Sequence, residues 1–141
     1  MVTWVLDASA LLRFLLGAAG DRRVGAILAS AQTGVDRAII CAVNWGEVVG
    51  KVYKSQGRYA ADNLSTTLQF YGLEIIPASM DRAARAALLK VDLNLGYADA
   101  FCVELSSGIA NSVIVTADHD FQAAAALVTL EFLPNNPSGS R

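Results

Sequence analysis

Val2-Thr3-Trp4-Val5-Leu6-Asp7 opens the chain with a short run of β-forming residues that stops on a carboxylate. The run does not alternate between apolar and polar, so it reads as a strand buried on both faces. Four further runs follow at Arg37–Cys41, Leu73–Ile76, Ser112–Val115 and Val128–Phe132, most of them rich in Val, Ile and Leu. Between the strands, spacing predicts helices over Ala10–Leu16, Asp21–Ala31, Val43–Ser55, Tyr59–Tyr71, Ser79–Val91, Tyr97–Ser107 and Phe121–Ala126, with Asp21 and Ser79 as N-caps. Strands alternating with helices give an α/β fold: a parallel sheet covered on both faces.

The chain has 141 residues, enough for one domain, and 54% of them are hydrophobic against 17% charged. That composition excludes a disordered chain. No apolar run reaches the roughly 18–20 residues of a membrane span, and Val2–Leu6 is too short for a signal segment. The expectation is a cytoplasmic protein without membrane attachment. Cys41 and Cys102 lie singly in apolar stretches, as small core residues do. One domain is expected over 1–133, followed by a loose tail over 134–141, PNNPSGSR.

In open parallel sheets, ligands bind beyond the carboxyl ends of the strands, where strand order reverses. Asp7 stands at that end of the first strand, and Thr116-Ala117-Asp118-His119-Asp120 follows the fourth. If these strands are neighbours, Asp7 and Asp118 face one crevice. Each acid also has a plain structural reading. Asp7 and Asp118 suit N-caps, Glu47 suits an i,i+4 pair with Lys51, and Asp99 suits the positive end of its helix. Together they are harder to explain this way, because carboxylates gathered in one place repel each other and become protonated unless a cation intervenes. Only oxygen ligands are on offer, which favours Mg²⁺, with Mn²⁺ as the alternative, over Zn²⁺. His119 is read as a solvent-facing residue rather than a general acid.

Net charge is −2. With Asp7, Glu47, Asp99, Asp118 and Asp120 set apart, 8 acids face 11 bases. An acidic pocket on a mildly basic body is compatible with a nucleic-acid partner. Arg13, Lys51, Lys54 and Arg58 are candidates for phosphate contacts, with solvated helix faces as the plain alternative. Leu11, Leu12, Phe14, Leu15 and Leu16 nearly fill the first helix, and Tyr53 and Tyr59 stand near its expected neighbours, a surplus that suggests a protein–protein surface.

Val5-Leu6-Asp7-Ala8-Ser9-Ala10, Asn44-Trp45-Gly46-Glu47-Val48, Tyr97-Ala98-Asp99-Ala100-Phe101 and Val115-Thr116-Ala117-Asp118-His119-Asp120-Phe121 resemble the motifs of PIN domains, in particular VapC-type toxins of type II toxin–antitoxin pairs. The likeness runs from Val2 to about Phe132, with no expected acid missing. It implies an α/β/α sandwich around a five-stranded parallel sheet in the order 3-2-1-4-5. It further implies that Asp7, Glu47, Asp99 and Asp118 are catalytic, and that Asp7, Asp99 and Asp118, supported by Asp120, bind metal. Ser9 and Thr116 match polar residues lining the site. The implied activity is metal-dependent cleavage of RNA. The implied partners are an antitoxin, whose C-terminal segment lies in a groove near the site, and a second copy of the chain. A non-catalytic RNA- or protein-binding PIN-like module and a housekeeping RNA-processing nuclease are the alternatives. A receiver-like phosphoacceptor domain would need a lysine after the last strand, where Leu133-Pro134-Asn135 has none.

Overall fold

The computed structural model describes residues 1–135. Five strands, β1 (Thr3–Leu6), β2 (Arg37–Cys41), β3 (Leu73–Ile76), β4 (Ser112–Thr116) and β5 (Leu130–Phe132), form one sheet in the order β3-β2-β1-β4-β5. Every neighbouring pair is parallel. Six helices flank it: α1 (Ala8–Leu15), α2 (Asp21–Gln32), α3 (Ala42–Gln56), α4 (Arg58–Phe70), α5 (Met80–Leu93) and α6 (Tyr97–Ser107). The expected α/β/α sandwich and its strand order are therefore observed. Strand order reverses at β1, which pairs with β2 on one side and β4 on the other.

The absence of alternation in the strands has a direct structural outcome. Leu6, Ile40 and Val115 pack into one core with α1 to α4, while Val5, Ile39 and Ile114 pack into a second with α5 and α6. All six are 0% exposed. Successive strand residues point to opposite faces, so only a sheet with two covers needs both sets apolar.

α6 is anchored by a buried ion cluster that its sequence conceals. Glu104 is 5% exposed and accepts from Arg82 Nη1 at 2.7 Å and from Arg85 Nε at 2.9 Å, which joins α5 to α6. The cluster fixes the helix that carries Asp99.

Several expectations are corrected. Ser79 caps α5 as foreseen, accepting from the Arg82 amide at 3.2 Å. Asp21 does not cap α2; Gly20 holds that position at φ +90°, and Asp21 sits in the first turn. The chain needs a left-handed residue to enter α2, which glycine supplies without steric cost. The last helix is a 3-10 helix over His119–Ala124 rather than an α-helix over Phe121–Ala126, and Phe121 is fully buried beneath it. β5 is shorter than Val128–Phe132 because the Val128 amide donates to the Ala124 carbonyl at 3.2 Å and is not free for the ladder. Tyr97 is 44% exposed and packs its ring on Phe101. Of the expected tail, residues 136–141 lie outside the described residues, while Pro134 and Asn135 are bonded to Arg13. Among the described residues, no helix is long and apolar enough to cross a membrane.

Gly72 ends the turn into β3 at φ +93°, and a Cβ there would stand 2.7 Å from the Gln32 amide nitrogen of α2. Both the backbone conformation and the close approach exclude a side chain. Gly72→Ala is expected to destabilise the fold by about 1–3 kcal/mol, measured by urea unfolding; an unchanged midpoint would contradict the packing of α2 on β3.

Candidate active site

β1 and β4 pair with Leu6 opposite Val115, so Asp7 and Thr116 leave the sheet side by side. Asp7 is 3% exposed. Its Oδ1 accepts from the Ala10 amide at 2.9 Å, so it is an N-cap of α1 as well as a site residue. Its Oδ2 accepts from the Thr116 hydroxyl at 2.6 Å, and Ser9 Oγ lies 2.8 and 2.9 Å from the two carboxylate oxygens. Thr116 Oγ1 also accepts from the Asp118 amide, and Ser9 Oγ from the Ala117 amide, both at 2.9 Å. Two hydroxyls thus tie the end of β1 to the loop after β4. Burial raises the Asp7 pKa despite the hydrogen bonds from Thr116, Ala10 and Ser9 that oppose the rise, and the nearby Asp118 adds to it.

The other acids arrive on separate elements. Asp118 follows β4 and accepts from the Asp120 amide at 2.9 Å, which makes it the cap of the 3-10 helix. Asp99 occupies the first turn of α6 and Glu47 the second turn of α3. Asp7, Glu47, Asp99 and Asp118 line one cleft of about 680 Å³, together with Ser9, Asn44 and Lys51. Asp99 is the most perturbed, with its pKa raised to about 6 by burial first, then by Asp118, Asp7, Glu47 and Asp120. One carboxyl therefore registers the field of the other four.

The remaining expected residues are placed as follows. Lys51 lines the cleft but forms no ion pair with Glu47 among the described residues, so the i,i+4 reading is not realised. Arg13 reaches the cleft wall, yet its Nη1 donates to the Ala19 and Pro134 carbonyls at 2.8 Å each, which makes it a clamp on the chain. Thr116 is fully buried and orients Asp7 and Asp118 from behind instead of facing the cleft. Asp120 is exposed and outside the lining, though near enough to act on Asp99. His119 is exposed at the rim, its ring stacked on Phe132 at 4.6 Å.

Asn44 is the site residue that sequence reasoning did not single out. It stands one turn before Glu47, donates to the Ala98 carbonyl at 3.1 Å, and keeps a buried Oδ1 without a partner among the described residues. Its place inside the Asn44–Val48 motif was the available signal.

Among the described residues, no three His, Cys, Asp or Glu side chains are arranged as a ready cage for a metal ion. The donor set is nonetheless all oxygen: four carboxylates on one cleft and an unpartnered buried amide oxygen. Mg²⁺ retains several waters and takes one or two carboxylates directly, so an open acidic cleft of this kind suits it better than it suits a desolvated ion.

A carboxyl whose pKa rises on folding is favoured in its protonated form, so its contribution to stability falls as pH rises from the usual 3.8 towards about 6. The full shift is worth roughly 3 kcal/mol, which solvent screening of this half-open site reduces to about 1–2 kcal/mol. Without divalent ions, Asp99→Asn is expected to stabilise the protein at pH 7–8 by about that amount and to leave it nearly unchanged at pH 4. Thermal melts in EDTA at both pH values check this; equal pH dependence in variant and wild type would refute it.

The chain matches the PIN domain family over residues 4–127. A search among curated proteins finds no match. Among solved structures, it is similar to VapBC2 from Rickettsia felis bound to a DNA fragment from their promoter, at 18% identity and a TM-score of 0.70, over 94% of this chain and 100% of that one. It is also similar to VapBC from Salmonella typhimurium bound to DNA, at 15% identity and 0.68, over 94% and 98%. A third similar structure is Mycobacterium tuberculosis VapC20, a sarcin-ricin loop cleaving toxin, at 20% identity and 0.66, over 93% and 99%. At these identities the structures speak for the fold, and the family match carries the assignment: the chain belongs to the PIN domain family.

Proposed function

We propose that the protein is a divalent-metal-dependent endoribonuclease that hydrolyses RNA phosphodiester bonds, and that it serves as the toxin of a type II toxin–antitoxin pair. The observation that carries the chemistry is that four carboxylates from four separate elements line one cleft, where burial first and then the neighbouring carboxylates raise the Asp99 pKa to about 6. A fold does not gather uncompensated like charges for stability, and a doubly charged ion is the simplest compensation.

In this reading Asp7, Asp99 and Asp118 hold the ion, directly or through its waters, and Asp120 supports them from outside the cleft. Mg²⁺, or Mn²⁺ in its place, would supply a nucleophilic water at neutral pH and offset charge developing on the phosphate. Asp7 is the fixed member, oriented by Ser9 and Thr116. Glu47 is more exposed than the other three and is suited to orient the attacking water or take its proton. Lys51 at the cleft wall, then Lys54 and Arg58 beyond it, carry no ion pair among the described residues and would meet the RNA backbone.

The toxin role draws on the likeness to VapC and VapBC proteins. Most of the apolar α1 residues turn inward, but Leu16, Tyr53 and Tyr59 remain 57%, 51% and 84% exposed. That apolar surface suits an antitoxin segment or a second copy of the chain. The cytoplasm is the compartment that goes with an RNA substrate and such a partner.

RNA cleavage with Mg²⁺ is expected to vanish in EDTA and to fall by about 100-fold or more in Asp99→Asn and Asp118→Asn. Activity surviving both treatments would remove the metal mechanism, and RNA binding without any cleavage would favour a non-catalytic module. Neutralising Lys51, Lys54 or Arg58 singly should lower the salt dependence of single-stranded RNA binding by about 0.7 in log–log slope each. An unchanged slope would place the RNA elsewhere.

A further inference from the structure

Asn44 lies at the third position of α3, one turn before Glu47. It is 1% exposed and forms part of the cleft wall. Its Nδ2 donates to the carbonyl of Ala98, immediately before Asp99, so one amide joins the two helices that carry Glu47 and Asp99. Among the described residues, its Oδ1 is the buried side-chain polar atom left without a hydrogen-bond partner. Folded proteins rarely leave such an atom unpaired, because it has given up its water for nothing.

The bond to Ala98 does not account for this choice of side chain, since any single donor would make it. An amide adds an acceptor. Asp7, Glu47, Asp99 and Asp118 around the same cleft are acceptors when ionised, and the Lys51 ammonium on the same wall makes no bond to Oδ1 among the described residues, which leaves the donor to a ligand. Phosphate oxygens donate nothing. A water molecule is the smallest donor, and a water bound to a cation turns both hydrogens outward. A neutral oxygen also adds a ligand without further crowding the negative charge.

We propose that Asn44 Oδ1 belongs to the cation site, accepting a hydrogen bond from a water in the hydration shell of a divalent ion held by the neighbouring carboxylates. The inference depends on the metal-binding reading given above and assigns a positioning residue to it.

Titration with Mn²⁺ alone, without RNA, followed by the electron paramagnetic resonance of the free ion, tests it. Asn44→Leu is expected to weaken Mn²⁺ binding about tenfold or more. Asn44→Asp, which retains the oxygen but loses the donor to Ala98, is expected to bind at least as tightly as wild type. Asn44→Leu binding like wild type would overturn the proposal. So would Asn44→Asp binding as weakly as Asn44→Leu, since Asn44 would then be only a bolt to Ala98. Should Asn44→Leu fail to fold by circular dichroism, Asn44→Asp against wild type decides: weaker binding overturns the proposal and equal or tighter binding supports it. The metal-binding reading is separated by Asp118→Asn. No Mn²⁺ binding by wild type, or undiminished binding by Asp118→Asn, would sink that reading and this inference together. Binding lost in Asp118→Asn but unaltered at Asn44 would sink this inference alone.

Discussion

The parallel pairing of β1 with β4 is the constraint on which the cleft depends. Because Leu6 stands opposite Val115, Asp7 and Thr116 emerge together at the carboxyl edge of the sheet, and the Thr116 hydroxyl can serve Asp7 and the Asp118 amide at once. The all-parallel sheet extends the same logic to the other acids. Each strand delivers its chain to that edge, so α1 begins there after β1 and α3 after β2. α6 runs back to the start of β4 and must therefore begin at the carboxyl edge as well, with Asp99 in its first turn. Residues far apart in sequence meet because short connections leave the topology no alternative.

Two acids of that cleft show opposite ways of bearing a buried charge. Asp7 is almost fully enclosed but receives hydrogen bonds from two hydroxyls and an amide, which oppose the effect of burial on its pKa. Asp99 is less enclosed, yet burial first and then four other carboxylates raise its pKa to about 6. The first is an anchor held in place by hydrogen bonds from within the chain. The second would be completed by something positive from outside. A sequence that is locally consistent elsewhere and strained here is what a functional site leads one to expect.

Much of this was legible in the residues. Unbroken apolar runs announced strands covered on both faces, and carboxylates at their ends announced the edge where a ligand would sit. What escaped notice has a common physical origin, because it depends on partners far away in the chain. Glu104 looks like an ordinary helix-surface acid until Arg82 and Arg85 of α5 are seen to enclose it. The capping of α2 by Gly20 depends on a left-handed backbone that composition does not reveal, while Asp21 next to it carries the familiar cap chemistry. Thr116 was noticed as a polar residue of the site, but only the register of β1 on β4 shows that it works from behind the acids. Asn44 is the extreme case, since its distinguishing feature among the described residues is a buried oxygen without a hydrogen-bond partner, which its place in the Asn44–Val48 motif could not show.

The fate of Arg13 gives the cleft a direction. A cation on the first helix beside an acidic site invites the reading of a phosphate ligand, and by position Arg13 qualifies. Its guanidinium is instead bonded to carbonyls of Ala19 and Pro134, so that it closes the α1 side by holding the connection to α2 and the chain after β5 in place. Among the described residues, Lys51, Lys54 and Arg58, on α3 and the start of α4, have no comparable bonds to the backbone; Arg58 rests over the exposed ring of Tyr53. The two sides of the cleft therefore differ in kind: one is a fixed wall with its charge already engaged, the other a row of long, free cations beside aromatic surface. Long-range attraction acts on both, but only free side chains can rearrange to follow a flexible polyanion, so the α3 side is the one by which such a chain would enter.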